Sequence, residues 1–142
     1  MKILDNLLED ECDHWLSYCE KAATVQGHIF DPHKSQLWDR IKRMVPYPLK
    51  NTYLYRIDPM AKENPHIDRQ QYSAIYYPAD SDGGLGLYDL NWKLQTIVEV
   101  KRNRLVLFPC ADHIHAQMPP TKGTRFSVVF KFKITKDRKG QL

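Results

Sequence analysis

From Thr52 onward the chain breaks into short β-forming runs, and that rhythm restricts the fold more than any other feature. The runs fall at 52–58, 71–77, 84–90, 95–100, 104–109, 113–118 and 124–134. Asp82-Gly83-Gly84, Pro119-Pro120 and Lys122-Gly123 supply turn chemistry between them. Strands this short, spaced by roughly ten residues, predict a sandwich or barrel. The last run alternates cleanly. Phe126, Val128, Phe130, Phe132 and Ile134 share one face, and Arg125, Ser127, Val129, Lys131 and Lys133 share the other.

The first forty-odd residues read differently. Leu8, Cys12, Trp15, Leu16, Cys19, Ala22 and Ala23 recur at three- and four-residue steps, which predicts an amphipathic helix. Asn6 and Glu9 have capping-box spacing, so the helix is expected to begin near Asn6. Gly27 and Asp31-Pro32 break the pattern. Leu37, Trp38, Ile41, Met44 and Val45 make a second stripe, stopped by Pro46 and Pro48. Both stripes are expected to pack against a core. The fold class is therefore α+β, mainly β. One domain spans 1–142, with helices over about 6–46, a β body over about 52–134 and a basic tail at 135–142.

A pI near 8.9 and a net charge of +4 raise the question of nucleic acid. The location of the charge answers it. Lys131 to Leu142 hold five bases and one acid out of 21 and 17, so residues 1–130 balance at 16 of each sign. A nucleic-acid binder needs a basic stripe with interleaved aromatics, whereas an excess confined to one end is more often solvated. The three cysteines, Cys12, Cys19 and Cys110, are expected to be reduced. Cys12 and Cys19 lie about 10 Å apart by helical rise, beyond disulfide reach. An acid at Asp5 and the lack of a long apolar core argue against a secretory leader. No apolar run approaches the roughly 20 residues of a membrane span. A cytoplasmic, soluble protein is the expectation.

Three of the six histidines fall in the β body. His66-Ile67-Asp68 sets an imidazole and a carboxylate two apart, so both point the same way from an extended chain. By itself this is a weak signal, equally readable as a surface polar pair. His113 and His115 repeat the spacing, and either can join His66 and Asp68. Two histidines and one carboxylate form the facial triad of non-haem Fe(II) oxygenases, with open positions on the opposite side. Arg125 begins the last run. If the Phe126 face packs outward against the helices, Arg125 points inward, where a lone guanidinium demands an anion. The alternative is an arginine at a strand end reaching solvent.

These residues also fall into a known pattern. His115, Pro119, Gly123 and Arg125 match the order H-x-x-x-P-x-x-x-G-x-R. His66-Ile67-Asp68, Gly83-Gly84 and Arg104-Leu-Val-Leu-Phe108-Pro109 precede it. Over Tyr53–Phe132 the chain resembles the small prolyl-4-hydroxylase-like branch of the Fe(II)/2-oxoglutarate-dependent dioxygenases.

The resemblance implies a double-stranded β-helix, or jelly roll, with the two N-terminal helices as support. It implies Fe(II) held by His66, Asp68 and His115, and its register selects His115 over His113. It assigns Arg125 to the distal carboxylate of 2-oxoglutarate, with Tyr77 as partner and Tyr55 nearby. Strand packing is the commoner fate of such tyrosines. The implied reaction hydroxylates a C–H of a peptide, prolyl included, or of a small molecule. It consumes dioxygen and releases succinate and CO2, with ascorbate as a supporting reductant. Loops 25–33, 58–65 and 78–83 are expected to rim the mouth. The alternatives are a cupin-like metal-binding jelly roll without oxygenase activity, which an in-register Arg125 argues against, and a nucleic-acid demethylase, which the charge balance argues against.

Overall fold

The computed structural model describes residues 1–134, and the basic tail 135–142 lies outside the described residues. The elements in chain order are β1 (Lys2–Leu4), α1 (Cys12–Ala22), β2 (His28–Ile29), α2 (Gln36–Met44), β3 (Leu49–Ile57), β4 (Gln71–Tyr77), β5 (Ser81–Tyr88), β6 (Leu94–Val100), β7 (Arg104–Phe108), β8 (Ile114–Met118) and β9 (Arg125–Lys133). Two antiparallel sheets form. The larger has the order β1-β7-β4-β9-β3-β2 and the smaller β6-β5-β8. This is the jelly roll, and each of the seven expected runs is a strand.

Alternation along the large sheet builds two cores at once. Leu54, Ala74, Tyr76, Leu105, Leu107, Val128, Phe130 and Phe132 face α1 and α2, where Trp15, Cys19, Leu37 and Ile41 are buried. Ile75, Tyr77, Val106, Phe108 and Val129 face the small sheet, meeting Leu85, Leu87, Val98 and Val100. The Phe126 face does pack outward. Trp38 stacks on Phe130 with centroids 5.8 Å apart and planes at 9°. Truncating a buried phenylalanine of this kind typically costs about 3–5 kcal/mol. Ser35 caps α2, its hydroxyl accepting from Trp38 N at 3.1 Å.

The first helix starts at Cys12, later than the capping-box spacing predicts. Asn6 lies in the left-handed region, with φ of 53°. The Asn103 side chain pins the segment after it, accepting from Leu8 N at 3.0 Å and donating to Leu8 O at 2.6 Å. The chain before Asn6 leaves as β1 and pairs with β7. Glu11, at the actual N-cap, receives Trp15 Nε1 and the Gln36 amide, each at 2.7 Å, and so ties α1 to the start of α2. All three cysteines are free and buried. Among the described residues no helix is long and apolar enough to cross a membrane.

Candidate metal and 2-oxoglutarate site

A short backbone bridge brings the two histidine-bearing segments together. His66 N donates to His115 O and His115 N donates to His66 O, both at 3.0 Å. Asp68 N donates to Cys110 O at 3.1 Å, which anchors the carboxylate-bearing turn to the end of β7. Ligand atoms of His66, Asp68 and His115 consequently lie within 4.8 Å of one another. Among the described residues this is the group of three able to hold a metal ion.

The hydrogen bonds on the imidazoles decide which nitrogen is free. His66 Nδ1 lies 2.6 Å from Asn64 O, and His115 Nδ1 lies 2.9 Å from His113 O. A carbonyl can only accept, so Nδ1 carries the proton in both rings and the Nε2 lone pair is available to a metal. Both Nε2 atoms approach Asp68, His66 at 3.4 Å from Oδ1 and His115 at 3.1 Å from Oδ2. Burial alone would raise the Asp68 carboxyl. The Lys131 ammonium, 3.2 Å away, with the adjoining His115 ring, opposes burial and holds it below the usual carboxylate range. His113 lies just before β8 and is not in the cluster, and its buried Nδ1 has no partner among the described residues.

A cavity of about 390 Å³ opens over this cluster. Its apolar wall includes Tyr55, Ile57, Ile75, Phe108 and Val129, and its polar lining includes Gln117, Ser127 and Lys131. Val25, Ala61, Lys62 and Asn64 bring loops 25–33 and 58–65 to the cavity, as expected. Gly27 permits the close pass of the first loop: at φ 96°, a Cβ there would meet the Tyr55 ring at 2.7 Å. Loop 78–83 does not line the cavity. Its Asp82 instead accepts from Thr121 N at 3.0 Å and from the Thr121 hydroxyl. Gly83 lets that clasp close, because at φ 82° a Cβ would sit 2.6 Å from Met118 O and 2.8 Å from Pro119 O.

The clasp holds the segment that Arg125 reaches. Arg125 is 1% exposed, and its Nη2 donates to Met118 O. Nε and Nη1 have no partner among the described residues. The fully buried Tyr77 hydroxyl and Gln117 Oε1 are also unpartnered. Burial depresses the Arg125 pKa, while Tyr77 and Asp82 pull it back only in part. Burial likewise raises the Tyr77 phenol, and the Arg125 charge opposes it. Burial is also the main influence on Tyr55, raising its phenol. A buried cation with two idle donors beside an idle hydroxyl is a receptor for an anion. Arg125 and Tyr77 do not themselves line the cavity, and their donors fit a carboxylate.

Sequence reasoning singled out His66, Asp68, His115, Arg125, Tyr77 and Tyr55. Of these, His66, Asp68, His115 and Tyr55 line the cavity, and Arg125 and Tyr77 are buried on the inner side of the same sheet. It passed over Gln117, Ser127 and Lys131. The available signal was facial: Gln117 lies two residues after His115, and Ser127 and Lys131 share a face with Arg125.

The model of a known family, described as 2OG-Fe(II) oxygenase superfamily, matches residues 26–133. The chain belongs to the 2OG-Fe(II) oxygenase superfamily. Members of this superfamily depend on Fe(II) and 2-oxoglutarate. No curated protein matches the sequence significantly. Several solved structures share the oxygenase fold. The viral collagen prolyl hydroxylase vCPH from Paramecium Bursaria Chlorella virus-1 has a TM-score of 0.72 and 16% identity, over 94% of this chain and 90% of its own. A Pseudomonas putida prolyl-4-hydroxylase has 0.69 and 18%, over 96% and 87%. HygX from Streptomyces hygroscopicus, solved with nickel and 2-oxoglutarate, has 0.68 and 15%, over 94% and 81%.

Proposed function

We propose that this oxygenase is a hydroxylase, oxidising a C–H of a peptide, prolyl included, or of a small molecule. The observation that carries the reading is the buried Arg125, with two unmade donor bonds, on the β9 face that lines the cavity holding His66, Asp68 and His115. A cupin-like metal site has no use for that cation. Likeness to prolyl hydroxylases supports a prolyl peptide as the first substrate class to try.

In this reading His66 Nε2, Asp68 and His115 Nε2 hold Fe(II), and Arg125 with Tyr77 holds the distal carboxylate of 2-oxoglutarate. The bound pair supplies dioxygen activation, with succinate and CO2 as co-products and ascorbate as a supporting reductant. The chain's own part is positional. Carbonyls of Asn64 and His113 keep both imidazoles in the metal-binding tautomer. Phe108 packs edge-on against His115 at 5.0 Å and fixes that ring. Tyr55, Ile57, Ile75 and Val129 exclude water from the wall where a substrate C–H would lie.

The test is anaerobic. Fe(II) followed by 2-oxoglutarate should give the visible charge-transfer band of chelated 2-oxoglutarate. A folded, metal-loaded protein without that band refutes the reading. Succinate release across a panel of prolyl peptides and small molecules then assigns the substrate.

A further inference from the structure

We propose that Gln117 is a third binding residue for the distal carboxylate of 2-oxoglutarate, donating its side-chain amide alongside Arg125 and Tyr77. This rests on the 2-oxoglutarate reading above. Five buried side-chain polar atoms lack a partner among the described residues. Four belong to three side chains: Tyr77 Oη, Gln117 Oε1, and Arg125 Nε and Nη1. Each such atom costs about 1–3 kcal/mol if left unmade, so a native fold keeps them few and for a reason.

Backbone geometry brings the three side chains to one place. Gln117 follows His115 by two residues on β8, faces the same way, and lines the same cavity. Its neighbour Met118 offers the carbonyl that Arg125 Nη2 reaches from the opposite sheet. The guanidinium thus spans from β9 to the backbone beside Gln117. The Tyr77 phenol is sensitive to both the Arg125 charge and the Gln117 amide.

The donors then converge on one carboxylate. A carboxylate offers about four lone-pair sites. An idle Arg125 donor fills one, and the Tyr77 hydroxyl fills a second. The Gln117 amide fills a third by presenting Nε2, the end that acts on the Tyr77 phenol.

Calorimetry on Mn(II)-loaded protein under nitrogen tests this without turnover. Gln117→Leu should weaken 2-oxoglutarate binding roughly ten- to a hundredfold, the usual range for one hydrogen bond to a charged group. Its Mn(II) affinity should stay as in the parent protein. Gln117→Glu supplies a fixed acceptor to Arg125. It should abolish measurable 2-oxoglutarate binding and raise the melting temperature of the ligand-free protein. If Gln117→Leu does not fold, Gln117→Glu decides by those two readouts. Parent-like 2-oxoglutarate binding in either variant, alongside a large loss in Arg125→Met, overturns the role of Gln117 and leaves the 2-oxoglutarate reading standing. A parent protein that binds Mn(II) but not 2-oxoglutarate overturns both.

Discussion

Replacing Arg125 with methionine should make the ligand-free protein more stable and the co-substrate much weaker, and the two effects have separate structural sources. Methionine keeps most of the volume and removes the charge. In the empty protein Arg125 is 1% exposed and two of its donors are unmade. At about 1–3 kcal/mol per unmade buried group, their removal favours the fold by about 2–6 kcal/mol. Against this stands the lost bond from Nη2 to Met118 O, which leaves a carbonyl unpaired at about 1–3 kcal/mol. At the centre of both ranges the balance is about 2 kcal/mol in favour of the variant. For a chain of 142 residues each kcal/mol corresponds to roughly 3–5 °C in melting temperature. With 2-oxoglutarate the sign reverses, because breaking a buried charged pair costs about 3–5 kcal/mol. Affinity should fall by roughly two to three and a half orders of magnitude. Differential scanning fluorimetry without ligand and calorimetry of Mn(II)-loaded protein read the two numbers. A ligand-free melting temperature several degrees below the parent would mean that the fold itself needs this guanidinium. The anion-receptor argument would then fail.

Three further expectations follow from the same geometry. His113→Ala should leave Mn(II) binding intact while His66→Ala and His115→Ala abolish it, because His113 lies outside the ligand cluster; loss on His113→Ala with retention on His115→Ala would reverse the assignment. Gly83→Ala should cost about 1–3 kcal/mol and weaken 2-oxoglutarate, since its Cβ would collide with Met118 O and Pro119 O and displace the segment that Arg125 grips; an unchanged unfolding midpoint in urea would contradict this. Asp5 hydrogen-bonds Arg104 at 2.6 and 3.1 Å, which holds its carboxyl below the usual range. Its folded pKa is thus below the unfolded value of about 3.9, so the stabilisation is present at neutral pH and lost as pH falls through the folded pKa. Asp5→Asn should therefore destabilise the fold at pH 7 by no more than about 1 kcal/mol for a half-exposed acid, read as a lower melting temperature, and the gap should close in strong acid.

The β body was legible because its information is local. Alternation in β9 and turn residues between strands report faces and boundaries without knowledge of the partner strand. The edge strands were not legible. Lys2–Leu4 pairs with residues about a hundred positions away, and His28–Ile29 is two residues long. Nothing within either segment announces such a pairing. The false helix start has the same origin, since a distant Asn103 overrides the local Asn6–Glu9 spacing. At the site, His66, Asp68, His115 and Arg125 stood out by residue type and register. Gln117 and Lys131 did not, because a polar residue on an alternating strand looks the same whether it faces solvent or a cavity.

The two faces of β9 carry a consequence for how such a chain can change over generations. Its two faces differ in kind, with Val128, Phe130 and Phe132 toward the helices and Arg125, Ser127 and Lys131, joined by Val129, toward the cavity side. Inserting or deleting one residue inside Arg125–Lys133 would exchange the two sets, driving phenylalanine rings into the cavity and charges into the helix layer. Core and receptor would be lost in one event, with no halfway form. Length variation among descendants is thereby excluded from this strand and directed to exposed loops such as 58–65.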